Sequence, residues 1–134
     1  MYFEWHEGMK TGHPLIDEQH QNLMKHLEQL MKNASKGVDP GRLEVELQFF
    51  ERYVVEHFTD EELLHQESGA PDFEDHVAAH RTLIDMTEGM IHDIKMNGVS
   101  LKTEMTFYNG LVKYFISQIH EFDVPLASFI NAKR

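Results

Sequence analysis

The stretch LEVELQFFERYVVEHFTDEELL (43–64) decides the fold. Its apolar residues return every three or four positions, at Leu43, Leu47, Phe50 and Val54. That spacing marks one face of an α-helix, not the alternation of a strand. The same face runs on through His57, Glu61 and Leu64. A histidine and a glutamate on a core-facing stripe carry a heavy desolvation cost unless something inside the core compensates them.

Working outward, the stretch is bounded by KGVDPG (36–41) and SGAPD (68–72), and a third break follows at NGVS (97–100). Each joins glycine to Pro, Asp, Asn or Ser, the chemistry of helix ends. Gly37 and Gly69 sit where a left-handed residue would close a helix, and Asp72 and Ser100 are candidates to open the next. The other segments carry the same periodicity. The first seam is Ile16, His20, Leu23, Leu27, Leu30 and Ala34; the third is Phe73, His76, His80, Leu83, Thr87, Met90 and Ile94. The last segment has a broad apolar face with Leu101, Tyr108, Leu111, Val112, Phe115, Ile119, Phe122, Leu126 and Phe129. Four amphipathic helices joined by short loops predict an all-α, up-down-up-down antiparallel four-helix bundle. Residues 1–134 are expected to form a single domain, with the first dozen residues, including Trp5, as an arm along the bundle.

Composition narrows the function. A chain of 134 residues can bury about two-thirds of its unfolded surface. Twelve basic against twenty-three acidic residues leave a net charge of −11, which argues against nucleic acid or an anionic membrane surface as partner. The absence of cysteine excludes disulfides, thiolate metal sites and cysteine nucleophiles. No apolar run approaches the ~20 residues of a membrane span, and MYFEWHEGMK lacks the basic start and apolar middle of a signal peptide, so a cytoplasmic location is expected. No protein partner is specified. Ten histidines are the one oddity.

His20, His57, Glu61, His76 and His80 all share their seams with Leu and Phe, and the pairs His57/Glu61 and His76/His80 have the i,i+4 spacing that stacks side chains on one face. A single core histidine is more often structural than a ligand. Several on three seams need a common partner, and a divalent metal is one, because imidazole and carboxylate are its usual ligands. Iron, manganese or zinc suit such a nitrogen and oxygen set better than a soft metal. So many donors point to two metals bridged by carboxylates, a known use of bundle cores. Asp123, the one acid on the apolar face of the last segment, is the candidate for the second bridge.

TGHPLIDEQH (11–20), HFTDEE (57–62), HVAAH (76–80) and the carboxylate of FDVPLASFI (122–130), with Trp5, come in an order that resembles the single-domain bacterial hemerythrins. The resemblance implies a non-haem, oxo- or hydroxo-bridged centre of two iron ions that reversibly binds dioxygen for transport, storage or sensing. His20, His57, His76 and His80 fall at its ligand positions, and Glu61 and Asp123 at its bridging positions. The last segment departs from the pattern. YFISQIHEFD (114–123) holds Gln118 where the family has a histidine, with His120 two places later. Gln118 beside the metal, His120 in its stead, or water are the possible occupants. Loss of an imidazole opens a position, so a di-iron peroxidase or oxidase, or an iron-sensing or storage module, stands as the alternative to oxygen binding. His26 and His92 lie off their seams and are expected in solvent, His6 and His13 belong to the arm, and His65 could support the site or lie at the surface. Glu62 is expected in solvent or paired along the helix surface. Met24, Met31, Met86, Met90, Phe50, Phe58 and Phe115 are expected in the core, the nearest of them forming a dry wall.

Overall fold

The computed structural model describes residues 7–37 and 39–133, and among them the chain is helical with no strand. Trp5 and His6 lie outside the described residues, and the side chains of Leu101 and Tyr108 are likewise outside them. A 3-10 turn at Glu7–Met9 leads into α1 (Pro14–Ser35), α2 (Pro40–Ser68) and α3 (Phe73–Asn97), followed by a fourth helical run over residues 101–132. The connections are short enough that each helix must turn back on the last, which makes the antiparallel four-helix bundle.

The helix ends explain themselves locally. Pro14 and Pro40 take first-turn positions, where a missing N–H costs nothing. His13, expected only as part of the arm, caps α1: its Nδ1 accepts from the Ile16 N–H at 3.4 Å. Asp17 clamps the chain ahead of that cap, accepting from the Thr11 N–H and hydroxyl at 2.8 Å each and from the Gly12 N–H at 3.2 Å. Gly69 closes α2 in the left-handed region at φ 75°, as its position predicted. Asp72 does not cap α3. Its φ is 67°, whereas a capping side chain needs an extended backbone, and its carboxylate makes no cap bond.

The fourth run is not uniform. α4 (Leu101–Thr106), α5 (Lys113–Gln118) and α6 (Val124–Ala132) are separated by wide π turns at Phe107–Val112 and Ile119–Asp123. Pro125 accounts for the second of these. In an α-helix its ring would press on the carbonyl four residues back, at Glu121. The wide turn, in which the Val124 N–H bonds the Ile119 carbonyl, relieves that contact. It also resets the register. Gln118 and Asp123 would stand about 140° apart on an ideal helix, yet both are buried, at 2% and 0% exposure.

The core has two zones. Toward the α1–α2 connection it is apolar, with Leu30, Leu43, Leu47, Phe50, Met90, Ile94 and Leu111 all buried. Each such side chain stabilises the fold by about 1.5–3 kcal/mol. Toward the α2–α3 connection the seam positions become His20, His57, Glu61, His76, His80 and Asp123, none more than 1% exposed. One seam assignment fails: Leu64 is only half-buried, and His65 is the buried residue at 3% exposure. A strict heptad drifts about 20° per repeat on a straight helix, so by the last turns of α2 the inward position has moved on by one.

Candidate metal centre

The Nε2 atoms of all four seam histidines point at two carboxylates. Glu61 Oε2 lies 3.5 Å from His20 Nε2 and 3.2 Å from His57 Nε2, while Glu61 Oε1 lies 2.8 Å from His76 Nε2 and 3.0 Å from His80 Nε2. Asp123 divides in the same way, with Oδ2 at 2.9 Å from His20 Nε2 and Oδ1 at 2.9 Å from His76 Nε2. Each carboxylate thus turns one oxygen toward the His20 side and the other toward α3. Donor atoms of Glu61, His76, His80 and Asp123 fall within 4.8 Å of one another, and so do those of His20, His57 and Glu61.

These donors fit a cation. Both nitrogens of His20, His57 Nε2, Glu61 Oε2 and Asp123 Oδ2 are buried and have no aligned hydrogen-bond partner, although several stand at ion-pair distance. Each such atom costs about 1–3 kcal/mol when left unsatisfied. A metal ion at the convergence satisfies the inward lone pairs of both kinds together, leaving only His20 Nδ1, on the other side of its ring, to be met otherwise.

The far sides of the rings support the same reading. Gln19 places its Oε1 2.6 Å from His57 Nδ1, and its Nε2 donates to Asp60 Oδ2 at 3.2 Å. A carboxylate only accepts, so the amide nitrogen faces Asp60 and the amide oxygen faces His57. His57 Nδ1 therefore carries the proton, and its Nε2 offers a lone pair inward. Glu62 does the same for His80, with its Oε2 2.7 Å from Nδ1. This places Glu62 at the site rather than in solvent, and partners of this kind orient metal-bound imidazoles. His65 Nδ1 lies 2.9 Å from His76 Nδ1.

Gln19 had no signal of its own, since it sits beside the seam of α1. The i,i+4 step from Glu61 did mark His65.

Aromatic rings fix the imidazoles and keep water away. Phe58 stacks on His80 at 3.7 Å and 4°, Phe122 stacks on His76 at 5.0 Å and 6°, and Phe115 meets His20 edge-on at 5.6 Å. Burial alone would lower His20 and His76, but the Asp123 and Glu61 carboxylates close beside them outweigh it and raise both to about 9. His80 moves up for the same reason, burial being outweighed by Glu61 and Glu62. Burial pushes Glu61 up as well, yet Asp123, His20 and His57 close around it hold it well below the usual carboxylate range. Asp123 is pushed up by burial and by the charge of Glu61. Protons and a cation therefore compete for the same nitrogens.

In the fourth run Gln118, not His120, is the residue turned inward. Gln118 is buried with neither amide atom partnered, and His120 is exposed. Of the remaining histidines, His92 is in solvent as expected, and His26 is half-buried against Tyr53, their rings 5.6 Å apart. Among the described residues no helix is long and apolar enough to cross a membrane.

Residues 11–121 match the hemerythrin HHE cation binding domain. No curated protein matches the chain. The matched stretch carries every histidine of the cluster and Glu61. Asp123 lies two residues beyond it, so its place in the site rests on the geometry.

Proposed function

The chain belongs to the hemerythrin HHE cation-binding family, and from that membership we propose that it holds two iron ions and with them binds dioxygen reversibly. His20 and His57 would hold one ion, His76 and His80 the other, and Glu61 and Asp123 would each serve both. The observation that carries this reading is the division of both carboxylates, one oxygen to each histidine pair. A single ion would leave half of those donors unused.

A ferrous pair supplies the two electrons that dioxygen capture draws on. The chain's own residues set the conditions. Imidazole is neutral, so a set richer in imidazole than in carboxylate favours the reduced ions. Gln19 and Glu62 keep the lone pairs of His57 and His80 directed inward. Phe58, Phe115 and Phe122 pack on the imidazoles and would limit the entry of water and its protons, which would otherwise let the oxygen leave as hydrogen peroxide with the two electrons.

The test is to load the protein with ferrous iron without oxygen, count the metal, then admit oxygen and follow the optical spectrum. Two ions per chain and an absorption band that disappears under vacuum support the reading. Direct decay to ferric iron, with no oxygen returned, sinks it.

Gln118 favours a second reading. With an amide in place of an imidazole, each side of the site offers the same number of histidines, and either ion would then have room for a small molecule. That symmetry suits a di-iron oxidase or peroxidase. Peroxide-dependent turnover of an electron donor by the loaded protein would select it.

A further inference from the structure

We propose that His65 is a positioning residue for the metal pair: it accepts a hydrogen bond from His76 Nδ1 and so keeps the Nε2 lone pair of His76 turned toward Glu61 and Asp123. The inference rests on the two-metal reading above.

The argument starts at the turn between α2 and α3. His65 is 3% exposed, and its Nε2 lies 2.8 Å from the Pro71 carbonyl oxygen and 3.2 Å from that of Ala70. Carbonyl oxygens only accept, so Nε2 carries the hydrogen. In a neutral imidazole the other nitrogen, Nδ1, is then bare and can only accept. His76 Nδ1 faces it at 2.9 Å, so the hydrogen between them belongs to His76. Two bare nitrogens at that distance would repel, as would two protonated ones. With its Nδ1 protonated, His76 has its Nε2 free as a ligand, and that atom stands 2.8 Å from Glu61 Oε1 and 2.9 Å from Asp123 Oδ1. Phe73 braces the His65 ring edge-on at 5.4 Å and 84°.

His65 differs from Gln19 and Glu62 in what directs it. Gln19 is oriented by an exposed side chain, and Glu62 is itself part-exposed. His65 is oriented by two main-chain carbonyls, so the backbone of the turn determines which nitrogen of His76 faces the metals.

The test compares His65→Leu, which removes both nitrogens, with His65→Gln. In the latter the amide oxygen can accept from His76 while its nitrogen donates to Pro71. Each is loaded with ferrous iron without oxygen, and retention is measured against a competing chelator. Unfolding of the metal-free protein is followed alongside. His65→Leu is expected to weaken one of the two ions by about 10–100-fold, and His65→Gln to restore retention close to that of the unaltered chain. Should His65→Leu not fold, His65→Phe replaces it, since a cavity of about 100 Å³ beside Ala70 and Pro71 leaves room for the ring. The inference is overturned if the apolar variant keeps both ions as tightly as the unaltered chain. Equal loss in the apolar and glutamine variants also overturns it, because that marks a merely structural role. An unaltered chain that takes up fewer than two ions sinks the two-metal reading itself, and this inference with it.

Discussion

The two ends of this bundle are built from the same four helical runs on the same three-four spacing, and both are closed to water, yet they are held together in different ways. At the α1–α2 end, Leu43, Leu47, Phe50 and Ile94 each gain from burial one at a time, whatever their neighbours do. At the α2–α3 end, His20, Glu61, His76 and Asp123 gain nothing until they satisfy one another or a common cation. Periodicity thus reports which side chains are inside. Their chemistry reports whether being inside is a source of stability or a demand on it.

The strongest way to break this comparison is to delete one side chain from each end. Glu61 stands within 3.5 Å of all four imidazoles. Glu61→Ala is therefore expected to take bound iron from two ions per chain to none, read by metal analysis after loading. Leu47→Ala, at a fully buried apolar position, is expected to cost about 2–5 kcal/mol in denaturant unfolding and to leave the iron count unchanged. Iron retained by the Glu61 variant, or lost by the Leu47 variant, would erase the distinction between the ends.

A change of pH sharpens the comparison, because among the described residues only one end buries ionisable side chains. His20 and His76 stand at about 9 in the folded chain, above the usual 6.5. A raised histidine stabilises the fold through its protonated form. That contribution is complete below about 6.5 and is lost as pH rises through about 9. The metal-free protein should therefore melt at a lower temperature at pH 9 than at pH 6.5. A cation must displace the same protons, so retention against a chelator should strengthen across that window. The two trends run in opposite directions. A metal-free melting temperature that does not fall would mean that Glu61 and Asp123 do not hold those protons.

The apolar end was legible in the sequence almost residue by residue, since burial there follows from spacing alone. The cluster of His20, His57, Glu61, His76, His80 and Asp123 was legible because polar residues on a hydrophobic seam are conspicuous. What escaped depends on contacts between helices or on backbone detail. Gln19 and Glu62 lie off their seams and matter only because His57 and His80 come within reach. His65 displaced Leu64 through the slow drift of a heptad along a long helix. Asp72 is read from composition as a cap, whereas the turn imposes a left-handed backbone on it. The wide turn at Ile119–Asp123 follows from Pro125 once its clash is considered, but nothing in the periodicity announces it.

That wide turn carries the smallest predicted effects, and they decide the register of the fourth run. Because it absorbs a residue, Gln118 shares the buried side with Asp123, and His120 is left in solvent. Gln118→His would then place a third imidazole at the polar end. If the di-iron, oxygen-binding reading holds, iron retention should rise several-fold, or oxidation of the loaded protein to ferric iron by oxygen should slow, as read by chelator competition and by the optical spectrum. His120→Ala changes an exposed side chain, and its effect on stability should stay within about 0.5 kcal/mol with iron content unaltered. The opposite outcome, an emptied site in His120→Ala and no change in Gln118→His, would require the turn to open elsewhere in the run. Asp123 would then keep its place only if the helix rotated about it, and the burial of Gln118 would be left without a cause.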